Sequence, residues 1–224
     1  MSDTSRVLFP VDGNTAVAAL RDVYAGRGQL GCLIVSKRDV ENRFDAESAQ
    51  RLISDGAAHL IGNPANAEVQ LIALGAYQLD EAIKAQQHLA ELGKCACVTV
   101  VLEPGRLRIP RDAIEAEFVD DDVTVSTLFP SGLPRVIVTH TRPEPMLGIL
   151  RRIDSGPAKT RALGYISRGG TFDVPGMLFA NRCTWAHVVD AAATVAGWSR
   201  EVLLDRAQRT AIDGIGDPSD LLIR

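Results

Sequence analysis

No apolar run in this chain approaches the roughly 20 residues that a membrane-crossing helix needs. The opening Met1-Ser2-Asp3-Thr4-Ser5-Arg6 lacks the basic-then-apolar layout of a secretory signal, so none is expected. Aromatic residues make up only 5% of the 224 positions. A formal charge of -4 gives no electrostatic footprint for nucleic acid. Cysteine is scarce: Cys32, Cys95, Cys97 and Cys183 have neither zinc-ligand spacing nor the pattern of a disulfide framework. Cys95 and Cys97 fall in what reads as a buried strand, where alternation turns them to opposite faces. The expectation is buried free thiols in a reducing cytoplasm. Familiar catalytic signatures are missing as well. Gly-x-Ser-x-Gly, the Walker A loop, HExxH and Gly-Asp-Gly are all absent.

What is present is an α/β pattern in a chain of ordinary globular composition, 46% hydrophobic and 23% charged. Gly31-Cys32-Leu33-Ile34-Val35-Ser36 reads as a short strand covered on both faces. A helix over about Asn14 to Tyr24 precedes it, capped by Asp12 or Asn14 and closed near Gly26. Asp45 caps a second helix that ends at Gly56. Ala57 to Ile61 reads as an edge strand, broken off by Asn63-Pro64. The clearest unit is a buried strand at Val69–Leu74, a helix over about Tyr77 to Leu92, and a returning strand from Cys95 to Leu102. Leu79, Ala82, Ile83, Leu89 and Ala90 line one face of that helix. Strand–helix–strand with a long crossover predicts a parallel pair. Further strands are expected at Arg135–Thr139 and Ala162–Ile166. Helices are expected over Pro143 to Arg152, from Asn181 through the Trp185 stretch, and over Ser199 to Ala211. The run Asp120-Asp121-Asp122 reads as a solvated loop. With no repeat or linker, the fold expected is a single three-layer α/β/α domain over residues 1–224 with a mostly parallel sheet.

Several short patterns bear on ligands. Gly26-Arg27-Gly28-Gln29-Leu30-Gly31 has dinucleotide-loop spacing, but the loop needs a strand before it and a helix after it. Here the order is reversed, so a helix stop and a turn are expected. Gly75 does lie between a strand and a helix; an ordinary βα turn competes there with an anion-binding helix start. Arg168-Gly169-Gly170-Thr171 reads either as an anion nest or as an exposed loop. His59, His88, His140 and His187 have no partners at metal-ligand spacing. Each is expected on the surface or hydrogen-bonded within the structure. His140, at a strand end, stands where an open α/β sheet presents ligands.

Two stretches carry a family likeness: Leu8-Phe9-Pro10-Val11-Asp12-Gly13-Asn14-Thr15 near the start, and Gly164-Tyr165 with Thr171 to Pro175 near the end. Between them lie a strand closing at Ser36-Lys37, the Val69–Leu102 unit and a strand ending in His140. In that order, from about Val7 to Val195, the chain resembles the C-terminal domain of xylulose-5-phosphate/fructose-6-phosphate phosphoketolases, relatives of transketolase. It departs from their pattern at Arg38-Asp39 and at Thr141-Arg142. The resemblance implies a homodimeric thiamine-diphosphate enzyme that splits a ketose phosphate with inorganic phosphate, giving acetyl phosphate and an aldose phosphate. The cofactor and its Mg2+ are implied in other domains, of the same polypeptide or a partner chain, because Gly-Asp-Gly is absent here. The chain alone is therefore expected to be inactive, and no catalytic residue is assigned. Lys37 carries over as a candidate contact to a substrate phosphate. The alternative is a free-standing regulatory module that senses a phosphorylated metabolite at the strand ends.

Overall fold

The structure, a computed structural model, describes residues 4–166 and 169–222. The chain enters through β1 (Ser5–Leu8), α1 (Gly13–Ala25) and β2 (Leu30–Leu33). Strand β1 was not foreseen: four residues with mixed burial carry no alternating signal. It pairs in parallel with β2 and is tied to the main sheet by the Phe9 N–H, which donates to the Leu102 carbonyl at 2.7 Å. β2 is shorter than its apolar run implies, and it is largely exposed instead of covered on both faces, because it pairs with β1 outside the main sheet. It stops at Leu33, leaving Val35, Ser36 and Lys37 in the loop beyond. The Asp12 carboxylate starts α1 by accepting from the Thr15 N–H, and the Thr15 hydroxyl reaches back to the Asp12 N–H.

α2 (Ala46–Asp55) is capped by Asp45 and ends at Gly56 in the left-handed conformation, φ 71°. The main sheet follows: β3 (Ala57–Ile61), β4 (Val69–Leu74), α3 (Ala76–Glu91) and β5 (Ala96–Val101). Two small helices, α4 (Ala113–Ala116) and α5 (Asp122–Leu128), lead to β6 (Arg135–Thr139). α6 (Pro143–Ile149) and β7 (Thr160–Leu163) come next, then α7 (Val174–Ala180), α8 (Trp185–Ala196), α9 (Arg200–Leu203) and α10 (Arg206–Ile212). The strand order is β3-β5-β4-β6-β7, with β3 antiparallel at one edge and the other pairings parallel.

Every residue of β4, β5 and β6 is buried, as strands covered by helices on both faces must be. Alternation divides them. Leu71, Ala73, Val98, Val100, Val136 and Val138 pack with α3 and α8. Ile72, Leu74, Val101 and Ile137 face Leu107, Val125, Phe129 and Met146. This is the expected three-layer α/β/α arrangement.

Other expectations change in detail. Cys95 lies before β5 and is exposed, as is Cys32; only Cys97 and Cys183 are buried. Asp120 is not solvated: it is buried against Arg106 at 2.6 Å. β7 begins two residues before the expected strand and ends at Leu163. The helix expected from Asn181 starts only at Trp185, with α7 lying before it. His187 is buried and bonded through Nδ1 to the Thr184 hydroxyl, and burial pushes its pKa down to about 4. The Gly26–Gly31 stretch joins α1 to β2 as a turn, with Gly28 at φ 76°.

Candidate functional site

The sheet order reverses at β4. From β4 the chain crosses through α3 to β5 on one side, then returns to place β6 on the other. In open α/β sheets the crevice at such a reversal, beyond the carboxyl ends of the strands, is where ligands sit. A cavity of about 440 Å³ opens there, between the ends of β4 and β6, the loop after β2 and the start of α7.

Its floor is the first turn of α3. Gly75 leaves β4 with φ 110° and ψ 156°, a conformation that L side chains rarely adopt. No side chain among the described residues caps α3, so the N–H groups of its first turn face the cavity end of the helix without a side-chain acceptor. The positive end of the helix dipole lies at the same place. From β6 comes His140, whose backbone N–H donates to the Leu74 carbonyl at 3.1 Å. Its ring is exposed at the mouth, while the surrounding protein lowers its pKa by partial desolvation.

Lys37 and Arg38 supply charge from the loop after β2. The Ser36 hydroxyl donates to the Arg38 carbonyl at 2.7 Å and shapes this loop. Neither cationic side chain has an ion-pair partner among the described residues. The opposite wall is apolar, with Phe172, Val174 and Met177. Asp173 adds one carboxylate there, engaged with the Gly176 N–H at 2.9 Å as the cap of α7. The arrangement suits a small oxyanion: two unpaired cations, an uncapped helix start and a partly apolar enclosure.

A second cleft of about 350 Å³ lies between β1 and the loop after β5. Several of its charges are already matched. Arg6 bridges Asp22 at 2.6 Å and Glu103 at 2.7 Å, and Arg106 holds Asp120. Among the described residues, no group of three or more His, Cys, Asp or Glu could hold a metal ion.

The stretches that carry the family likeness have structural employment. Both Asp12 carboxylate oxygens are in use: Oδ1 accepts from Thr15, and Oδ2 from the Arg43 and Phe44 N–H groups at 2.8 and 2.9 Å. The Asn14 amide donates to the Phe44 carbonyl at 2.7 Å. These residues fold the entry loop and do not fit the work of gripping a diphosphate-bound cation. Gly164 is required because a Cβ there would be driven into the Thr141 carbonyl oxygen and come within 2.8 Å of Thr139 Cγ2. The Tyr165 N–H donates to that same carbonyl at 3.0 Å, stitching the loop after β7 to the loop after β6. Arg168, one end of the possible anion nest, lies outside the described residues. The remaining histidines are held structurally. His59 meets the Thr99 hydroxyl, and His88 meets the Leu203 carbonyl at 2.6 Å.

Sequence reasoning placed Lys37 and His140 each at a strand end, without bringing them together. It missed Arg38, Gln78 and the Phe172–Met177 wall, which come together only through the fold. One local signal was legible: α3 starts with glycine where α1, α2 and α10 start with aspartate.

No family model matches the chain. It is 29% identical over 154 residues to a probable phosphoketolase of Lactococcus lactis subsp. lactis (strain IL1403), covering 62% of this chain and 18% of that protein. The chain thus spans less than a fifth of the curated relative's length. Its fold is that of parts of solved transketolases. A transketolase of Pichia stipitis in complex with xylulose 5-phosphate aligns with a TM-score of 0.66 at 17% identity, over 87% of this chain and 25% of that one. Transketolase from Leishmania mexicana gives 0.65 at 16%, over the same shares. A split-gene transketolase, described as an inactive beta4 tetramer, gives 0.64 at 16%, over 88% of this chain and 59% of that one.

Proposed function

We propose that this chain serves as the C-terminal domain of a thiamine-diphosphate-dependent phosphoketolase. In this reading it helps to assemble a cytoplasmic dimer and edges the active site without being catalytic alone. The observation that carries it is the coincidence of a phosphoketolase-like sequence, a transketolase-like sheet and a cationic crevice at the point of sheet reversal. Bound in another domain, the cofactor would supply the carbanion chemistry. Lys37 would meet a substrate phosphate from the side, as a mobile point charge. The partners are then the catalytic domains, on the same polypeptide or a separate one. No helix among the described residues is long and apolar enough to cross a membrane.

The decisive assay is acetyl phosphate formation from xylulose 5-phosphate and inorganic phosphate. The chain alone is expected to form none, and to raise the activity of separately expressed catalytic domains of its own enzyme. Lys37→Ala should remove most of that gain through KM. Activity from the isolated chain would refute the proposal.

The unpaired Lys37 and Arg38 also favour a second reading, a free-standing module that binds a phosphorylated metabolite. Calorimetry of the isolated chain with sugar phosphates and adenine nucleotides tests it. Absence of heat with all of them removes this reading.

A further inference from the structure

One buried acceptor of the crevice has no hydrogen-bond partner among the described residues. Gln78, the third residue of α3, is 3% exposed, and its side-chain carbonyl oxygen is buried without a hydrogen bond. That oxygen lies 2.6 Å from the point where a Cβ on Gly75 would stand, so it rests against the open start of the helix. Any residue but glycine at 75 would take the space that the amide uses. The Cβ of His140 approaches the same point at 3.4 Å, which closes the far side. A buried acceptor with no donor is costly to leave unpaired. In a site that works by ligand binding, a ligand can supply the missing donor.

An oxyanion resting on the N–H groups of Ala76, Tyr77 and Gln78 would bring its neighbouring carbon up to this amide. The terminal torsion of a glutamine is soft. A small rotation turns the carbonyl from the helix start toward the cavity. We infer that Gln78 sets the specificity of the crevice: its ligand joins an oxyanion, phosphate or carboxylate, to a hydroxyl or amino donor on an adjacent carbon. This rests on the oxyanion reading of the crevice and adds the demand for a donor. A bare anion leaves the Gln78 carbonyl unpaired, so a site built this way discriminates against it.

The test is calorimetry on the full chain with two charge-matched pairs. Glycerol 2-phosphate is compared with isopropyl phosphate, and lactate with propionate, so the pair that responds identifies the oxyanion. The hydroxylated member of one pair should bind at least tenfold more tightly. In Gln78→Met, which keeps the length but loses the carbonyl, the difference should fall below twofold while affinity for the hydroxyl-free member holds. Equal binding within both pairs by the wild-type chain would overturn the inference, and this comparison stands even if Gln78→Met does not fold. Discrimination that survives in a folded Gln78→Met would overturn it too. Binding of isopropyl phosphate or propionate that is lost in Lys37→Ala upholds the oxyanion seat even where discrimination fails. Failure of all four probes to bind removes both the oxyanion seat and this inference.

Discussion

Gly75 holds φ at 110°, and a methyl group there would meet the Gln78 amide at 2.6 Å. Gly75→Ala should therefore cost about 1–3 kcal/mol in backbone strain alone, read as a lower urea midpoint. An unchanged midpoint would show that the turn relaxes. His187 illustrates a cost of a different kind. Burial first, and the nearby Arg182 and Arg200 charges second, lower its pKa from 6.5 to about 4. Below pH 6.5 the unfolded chain takes up a proton that the folded chain refuses, so stability falls as pH drops and levels off below about pH 4. At about 1.4 kcal/mol for each pH unit between those values, the loss approaches about 3 kcal/mol. Urea titrations at pH 7, 5.5 and 4.5 should show this slope, and His187→Gln should flatten it. The caps at Asp12, Asp45 and Gly56 were legible in the sequence because a cap is settled within four residues. The burial of His187 and Asp120 was not, since it depends on elements far along the chain.

At the scale of elements, one helix caps another. The side chain of Thr184, the N-cap of α8, caps no backbone N–H and bonds the His187 ring. Instead the Glu81 carboxylate, from the middle of α3, accepts the Trp185 N–H at 2.6 Å and also holds Lys84 at 2.5 Å. It lies close enough to Cys183 to help burial raise that thiol to about 12. Glu81→Ala should destabilise the fold by about 1–3 kcal/mol, with Glu81→Gln recovering much of it; denaturation of both variants measures this. Equal losses in the two would mean that charge, and not the acceptor, matters. The strand at Val69–Leu74 and the α3 stripe, apart from the exposed Ala90, were plain in the sequence because their periods are local. The start of α8 was set too early, because its true beginning is fixed by a carboxylate 104 residues away.

At the scale of the molecule, α1 carries Val17, Leu20 and Tyr24 on one exposed stripe, and beside it β2 pairs with β1 alone. Tyr24 is 82% exposed and Leu30 in β2 is 76% exposed. An open strand edge next to an apolar helix face is a surface that natural proteins usually cover. In the dimer proposed above, this surface is expected to be covered. Leu20→Glu combined with Tyr24→Ser should then shift sedimentation from dimer to monomer while leaving the thermal midpoint of the chain within a few degrees. A wild-type chain that sediments as a monomer at tens of micromolar would remove the dimer from the proposal.

The residues by themselves determined the layers and the buried strands β4, β5 and β6, though not the exposure of β2, since periodicity and caps act over a few positions. They also placed Lys37 after a strand and Gly75 before a helix. Only tertiary structure decided that β6 returns to the far side of β4 and that Lys37, Arg38, Gln78 and His140 therefore share one cavity. The choice of neighbouring strand depends on the sum of many packing contacts between distant segments, and no local window of sequence contains that sum.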